Sequence, residues 1–404
     1  MRPVVVLIFH AAAGPGPLAA APGPLTAALA GARLALAGHH ARGFRAAGAG
    51  DVRIIADADD RPYGARLRDE VTALSAGVGV VVLGSGALPL ADARDRRTFL
   101  AAAAGIGGGA ALTNNRYSGD AVAIPDARLA LTGIPDLAGD NALPRWLAER
   151  AGIPVADLRG RRALQADLDG VADLALLERS PRCPAVVRAA ASRLGAELAH
   201  VRGRMLAVEA VAADQRAEIV VAGRVSAAGL RHLEAATACR VRALVEERGL
   251  RAADPRAQEE APPSADPRAP APATAPAGAR RPPASALGML LDRDGPSSLG
   301  PILARLGDAA VVDTRVLLAH RLGADERAWP PLEDRLASDL GMTDVVRDPW
   351  LRTLTESAAT AAIPVLLGAH SLVGPGLDLL FGRRAAGDRP GPRGTGRRAG
   401  GLVR

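Results

Sequence analysis

The stretch "ALTNNRYSGD" (111–120) sets two amides, a guanidinium and a phenol side by side in a chain made mostly of alanine, leucine and arginine. Each type suits recognition of a planar, anionic ligand. Asn114 and Asn115 offer a donor and an acceptor together, as a base or sugar requires. Arg116 can grip a phosphate in fork geometry, and Tyr117 can stack or give one hydroxyl bond. The competing reading is an asparagine-rich turn with Tyr117 plugging the core and Arg116 paired to Asp120.

These residues need a sheet edge to hold them. Val4–Phe9 is a continuous apolar run, "DVRIIAD" (51–57) and "GVGVVVLGSG" (77–86) follow, and "GAALTNN" feeds a fourth strand. "SGDAVAIP" adds a short strand, and "ADLR" (156–159) is short and extended. Helical stretches at 26–47, 63–74, 94–103 and 141–151 alternate with these runs. Residues 1–180 therefore read as an α/β domain, a Rossmann-like open, mostly parallel sheet. Ligands of such sheets lie outside the carboxyl ends of the strands. The loops that meet there carry His10, Gly14 and Gly16, then Asp57, Asp59, Asp60 and Arg61, then Gly84, Ser85 and Gly86, then Asn114, Asn115 and Arg116. "GIPDLAGDNALPRWL" (133–147) places Asp140 and Asn141 before a helix, which reads as an N-cap alone or as one cap with the other residue toward the pocket.

Composition narrows the chemistry. All 50 basic residues are arginine, so no lysine can clamp a phosphate or form a Schiff base. The net charge of +7 does not point to nucleic acid, because residues 383–404 carry seven arginines and one aspartate. The rest of the chain is nearly neutral, and only 2% of it is aromatic. No His, Cys, Asp or Glu spacing makes a zinc site. Cys183 and Cys239 have no metal-ligand or secreted-domain pattern. No apolar run is long enough to span a bilayer and no signal segment is evident, so a cytoplasmic protein is expected, with no membrane or nucleic-acid partner.

Two segments resemble a known family. "VVVLGSGALPLAD" (80–92) is similar to the strand, aspartate and Pro-Leu segment of the MobA-like and 2-phospholactate guanylyltransferase-like nucleotidyltransferases. "QADLDGVADLALL" (165–177) resembles their Asp-x-Asp-Thr-Pro-x-Asp-Leu segment. The resemblance covers about residues 1–180. It implies a nucleotide, a small phosphorylated or sugar-like acceptor, and Mg²⁺ or Mn²⁺ held by Asp167 and Asp169. It makes Asp167, Asp169 and Arg116 the catalytic candidates. The nucleotide itself is expected at the converging loops, on His10, Gly14, Gly16, Gly84, Ser85, Gly86, Asn114 and Asn115. Two features depart from it. Gly86 stands where the family has its metal-binding aspartate, with Asp92 the nearest carboxylate downstream. The first loop, "HAAAGPGPLAAAPGPLT", lacks the family's arginine and lysine.

The second half reads as a smaller α/β region. Residues 184–250 hold helices around the strand "AEIVVAGRVS" (217–226), with residues 227–249 taken as helix. Ser226 caps that helix, and Arg224 stands beside it as an anion contact. Residues 251–283 form a Pro/Ala-rich linker expected to be disordered. Residues 284–382 bring "DAAVVDTRVLLAH" (308–320) and "AIPVLLGAHSLVGPG" (362–376), in one domain with 184–250 or apart from it. An Arg-rich tail, 383–404, is expected to be disordered. Three functions compete: a metal-dependent nucleotidyltransferase, an inactive nucleotide- or phosphosugar-binding protein, and a structural or assembly protein, with homo-oligomers compatible with each.

Overall fold

The apolar runs become the central strands of two separate sheets, as residues that must be covered on both faces do. The computed structural model describes residues 2–10, 22–56, 59–106, 108–246 and 283–382. Gly14, Gly16 and Asp57, most of the Pro/Ala tract and the Arg-rich tail lie outside the described residues.

The first sheet takes β1 (Val4–Phe9), β2 (Asp51–Ile55), β3 (Gly79–Gly84), β4 (Ala111–Thr113), β5 (Ala121–Ile124) and β6 (Val155–Asp157). Its order is β2-β1-β3-β5-β4-β6. All neighbours are parallel except β5, which runs antiparallel between β3 and β4. Its helices are α1 (Pro24–Ala46), α2 (Tyr63–Thr72), α3 (Ala93–Ala103), α4 (Ala127–Ala130) and α5 (Leu143–Glu149), while α6 (Ala172–Leu177), next in the chain, packs into the core of the second sheet. One face of the first sheet packs on α2, α4 and α5 through Leu67, Val71, Leu143 and Leu147, and the other on α1 and α3 through Ala37, Phe44 and Phe99. Asp92 closes a capping box on α3 by accepting from Arg94 N and Asp95 N, so it is structural.

The second sheet takes β7 (Glu218–Gly223), β8 (Arg240–Val245), β9 (Ala309–Asp313) and β10 (Val365–Gly368), all parallel in the order β10-β9-β7-β8. Around it lie α7 (Ala185–Arg193), α8 (Ala199–Ala212), α9 (Ala227–Ala236), α10 (Ala286–Asp294), α11 (Leu299–Leu306) and α12 (Thr314–Leu322). They are followed by α13 (Leu332–Asp339), α14 (Pro349–Ala359), α15 (His370–Val373) and α16 (Gly376–Phe381). The strands before and after the Pro/Ala tract thus share one sheet. β8 corrects the helical reading of 227–249: the helix stops at Ala236, and Ala238 N turns back to the Ala212 carbonyl. Both sheets are Rossmann-like and mostly parallel, and among the described residues no helix is long and apolar enough to cross a membrane.

The carboxyl edge of the second sheet is filled by its own charges. Arg224 donates to both Asp313 oxygens at 2.7 and 3.1 Å, and both residues are buried. The expected anion contact of Arg224 is therefore taken by this pair. Gly223, at φ +142°, admits it, since a Cβ there would lie 2.4 Å from Asp313 Cβ. Ser226 caps α9 through Gly229 N, as read from the sequence.

Two outcomes test this packing. Asp313→Ala leaves a buried guanidinium uncompensated and should cost about 3–5 kcal/mol in denaturant unfolding. The tract begins and ends at one place, because Ser285 Oγ donates to Glu246 at 2.6 Å. Replacing residues 251–280 with a short Gly-Ser linker should therefore shift Tm by less than about 2 °C.

Candidate functional site

From β1 the chain crosses to β2 on one side and returns to β3 on the other, so the carboxyl ends of β1 and β3 form a topological switch point, the place where sheets of this kind hold a crevice. His10 and Ser85 stand at its floor. Both are buried, with His10 Nδ1 and Ser85 Oγ 3.0 Å apart. Burial, and then the nearby Arg33 guanidinium, lower the His10 pKa below its ordinary value, so the ring is neutral at pH 7.

The "GSG" and "DLDG" segments meet in this crevice. Ala87 and Asp167 form an antiparallel bridge, and Leu168 N donates to the Gly86 carbonyl at 3.0 Å. Gly86 has no room for a side chain. A Cβ would lie 2.8 Å from the Leu168 carbonyl oxygen and 3.2 Å from both Arg33 Nε and Asp167 Oδ1. The aspartate that the resemblance requires there cannot be accommodated. Arg33 fills that space from α1, donating to the Leu168 and Asp169 carbonyls at 2.7 and 3.1 Å and to Asp169 Oδ1 at 3.3 Å.

Two further carboxylates join Asp167 and Asp169. Asp120 precedes β5, and its carbonyl accepts from Gly84 N. Asp140 precedes α5, its Oδ2 3.6 Å from where a Cβ on Gly84 would stand. Asp120, Asp140 and Asp167 are half-buried and Asp169 is exposed. Crowding changes their protonation. Burial first, then Asp140 and Asp169, push Asp120 up to about 7 against the hydrogen bond from Asn114. Burial, then Asp169 and Asp120, hold Asp167 well above the ordinary carboxylate range, with Arg33 opposing. Asp140 is raised by burial and by Asp169. Crowding and burial thus favour the protonated, neutral forms of Asp120, Asp140 and Asp167, with the Arg33 guanidinium beside them.

The opening segment builds this crevice rather than lining it with ligand contacts. Asn114 is fully buried. It donates to Asp120 Oδ2 at 2.8 Å and to the Leu164 carbonyl at 3.1 Å, and it accepts from Asp120 N and Ala121 N. Asn115 donates to Gln165 and accepts from Tyr117 N. Arg116 turns to the β4–β6 edge, donating to the Val155 carbonyl at 3.2 Å with Asp157, not Asp120, as its distant ion partner at 3.9 Å. Tyr117 is no core plug. It is 62% exposed, under the Arg159 guanidinium. Asn141 accepts from Ser118, while its neighbour Asp140 enters the crevice. Asp59 and Arg61 pair with each other at the surface.

Arg33, Asp120 and Asp140 are the members that motif reading underweights. Arg33 lies mid-helix in "GARLALAG", with no pattern around it. Asp120 carries a signal in retrospect, as a carboxylate placed directly before four buried residues. Among the described residues, no three His, Cys, Asp or Glu side chains converge tightly enough to hold a metal ion. Comparison with known protein families and with curated proteins finds no match for this chain.

The two neighbouring residues should behave oppositely on mutation. Asn114→Ala strands several buried partners and should cost about 2–4 kcal/mol in denaturant unfolding. Arg116→Ala removes an exposed, weak pair and should cost less than about 1 kcal/mol.

Proposed function

We propose that the crevice binds a phosphorylated nucleotide together with Mg²⁺ or Mn²⁺. It would act as a nucleotidyltransferase-like site toward a small phosphorylated or sugar-like acceptor, in the cytoplasm where nucleotides are available. The observation that carries this reading is the concentration of Asp120, Asp140, Asp167 and Asp169 at the switch point of a Rossmann-like sheet, faced by Arg33. Hard carboxylate oxygens suit a hard divalent cation. Mg²⁺ in particular takes one or two carboxylates and completes its shell with water and substrate phosphates. That fits donors that do not converge as a closed cage.

Asp167 and Asp120 would hold the cation, with Asp140 and Asp169 completing the negative field. When bound, the cation supplies the neutralisation that phosphoryl oxygens need as charge develops on them. In a lysine-free chain, the rest of the phosphate recognition would fall to Arg33, since Gly84 N and Ser85 N already donate to the Asp120 and Phe9 carbonyls. Neutral His10 and the Ser85 hydroxyl at the floor can each offer a hydrogen bond to a base or sugar.

Gly86 supports a second reading, binding without transfer. The space of the resemblance's metal-binding side chain is occupied by Arg33 and the Leu168 carbonyl, so the cation would sit differently from that in those enzymes. Pyrophosphate release in the presence of candidate acceptors separates the two readings.

Calorimetry with GTP, CTP, ATP and UTP, each with and without Mg²⁺ or Mn²⁺, is the direct test. At least one nucleotide should bind in a metal-dependent way, and Asp167→Asn with Asp169→Asn should weaken it tenfold or more, about 1.4 kcal/mol. Metal-independent binding, or none, overturns the reading.

The raised carboxyls add a pH test. A carboxyl whose pKa is higher in the fold than in the unfolded chain favours the fold while it is protonated. That contribution fades as pH rises from the ordinary carboxylate range toward about 7. Without metal, Tm should therefore fall between pH 5 and 8. Added Mg²⁺ or Mn²⁺ should restore it at pH 8 and do little at pH 5, where protons occupy the oxygens. Equal metal effects at both values would count against the cation site.

A further inference from the structure

The second sheet and its helices touch the crevice indirectly, at two points. The first is the amino end of α1. That helix has no side-chain cap of its own and no acidic residue in its first turn. Its leading N–H groups are satisfied instead by Glu333 on α13: Leu25 N donates to Oε1 at 3.0 Å, and Thr26 N and Oγ1 donate to Oε2 at 2.9 and 2.8 Å. Gly23 permits this, since a Cβ there would lie 2.3 Å from Glu333 Cδ. The second point is the "DLDG" turn. Asp173 accepts from Asp169 N and Gly170 N at 2.8 and 2.6 Å and receives the Ser371 hydroxyl of α15 at 2.7 Å.

Both points belong to one connected set of contacts, buried around Arg315 and Ser371 and reaching the surface at Arg33 and Asp169. Glu333 and Asp339 lie at opposite ends of α13. Asp339 takes both arms of Arg315, at 2.8 and 2.5 Å. Arg315 donates to Thr314 Oγ1, and Thr314 donates to the Gly368 carbonyl at the end of β10, three residues before Ser371. From Ser371 the path runs through Asp173 to the amides of Asp169 and Gly170. It closes through Arg33, which joins that turn back to α1. The ring thus passes through the crevice's cation and through the turn that bears Asp167 and Asp169.

We propose that Glu333 and Ser371 are positioning residues. Through this closed ring the second domain sets the placement of α1 against the "DLDG" turn, and so the spacing of Arg33 and the two aspartates in the crevice. This rests on the crevice being the working site, but its test needs no ligand. Residue-resolved amide hydrogen exchange, on the full chain under native conditions, reads both ends of the ring.

Ser371→Ala should speed exchange about tenfold at Asp169 and Gly170, its own end, and measurably at Leu25 and Thr26, which Ser371 does not touch. Glu333→Gln should do the reverse, and Ser371→Thr, which keeps the hydroxyl, should restore both ends. Asp378→Asn is the control. Asp378 bridges the same two domains by pairing with Arg162, outside the ring, and should leave both ends unchanged. Effects confined to each mutated contact overturn the proposal. So does the same remote response in Asp378→Asn, or a uniform rise that includes the β1 amide of Leu7, because each would mean general loosening of the interface. Loss of nucleotide binding in calorimetry would instead strike the functional reading and leave the ring intact.

Discussion

α1 is buried from both sides, and the arrangement of the whole chain follows from that. Its later residues Ala37, Ala41 and Phe44 pack on the first sheet, while Leu25, Leu29, Ala32 and Leu36 belong to the core of the second. One stripe of the helix packs on the first sheet and another on α7 and α13, leaving Leu34 and the rest of its outer side exposed. The helix cannot satisfy its first N–H groups alone, so it takes a carboxylate from the neighbouring domain. Its position is therefore a compromise between two cores, and Arg33 is carried wherever that compromise places it.

The two sheets present the same topological opening and treat it in opposite ways. At the β7–β9 switch, a glycine lets Arg224 and Asp313 meet, and their fork-to-carboxylate pairing neutralises the edge. At the β1–β3 switch, a glycine again leaves room for a guanidinium, but Arg33 there faces several carboxyls rather than one. Asp120, Asp140 and Asp167 are each held above the ordinary carboxylate range, chiefly by desolvation and then by one another. A fold selected only for stability gains nothing from crowding like charges at the mouth of a crevice. The neighbouring sheet shows that the same chain can close such an edge with internal pairs.

Much of the architecture was legible because buried parallel strands read as unbroken apolar runs. β1, β3, β7 and β9 are all of this kind. β8 was not legible, since it is an edge strand whose sequence, "RVRALV", alternates arginine with small apolar residues, largely exposed, and continues a helical composition without a break. The site was half legible. Asp167 and Asp169 stood out by spacing, and the "GSG" turn by its position after a strand. Asp120 and Arg33 did not, because their roles depend on which distant segments fold against them. Asn114 drew attention for the right reason, a fully polar residue in an apolar context, but its hydrogen bonds are spent on holding Asp120 and the start of β5.

Arginine is the residue whose meaning changes most between sequence and structure. With no lysine present, every guanidinium invites a ligand reading, yet many of them are tied to backbone oxygens. Arg45 reaches the Val52 carbonyl, Arg68 that of Ile134, Arg116 that of Val155, and Arg352 that of Val346. These are clips between elements, a use for which the planar, multi-donor head is suited and a lysine ammonium is less so. Arg33 begins as one more clip, on Leu168 and Asp169, but it is aimed into a crevice of carboxylates beside a glycine that leaves it room. Its surroundings, rather than its residue type, distinguish it from the others. The same argument applies to Gly86, whose lack of a side chain leaves room for the guanidinium and the Leu168 carbonyl. Arg33 Nε and Asp167 Oδ1 both stand 3.2 Å from where a Gly86 Cβ would be, so this small residue is what lets the guanidinium and the carboxyl share one place.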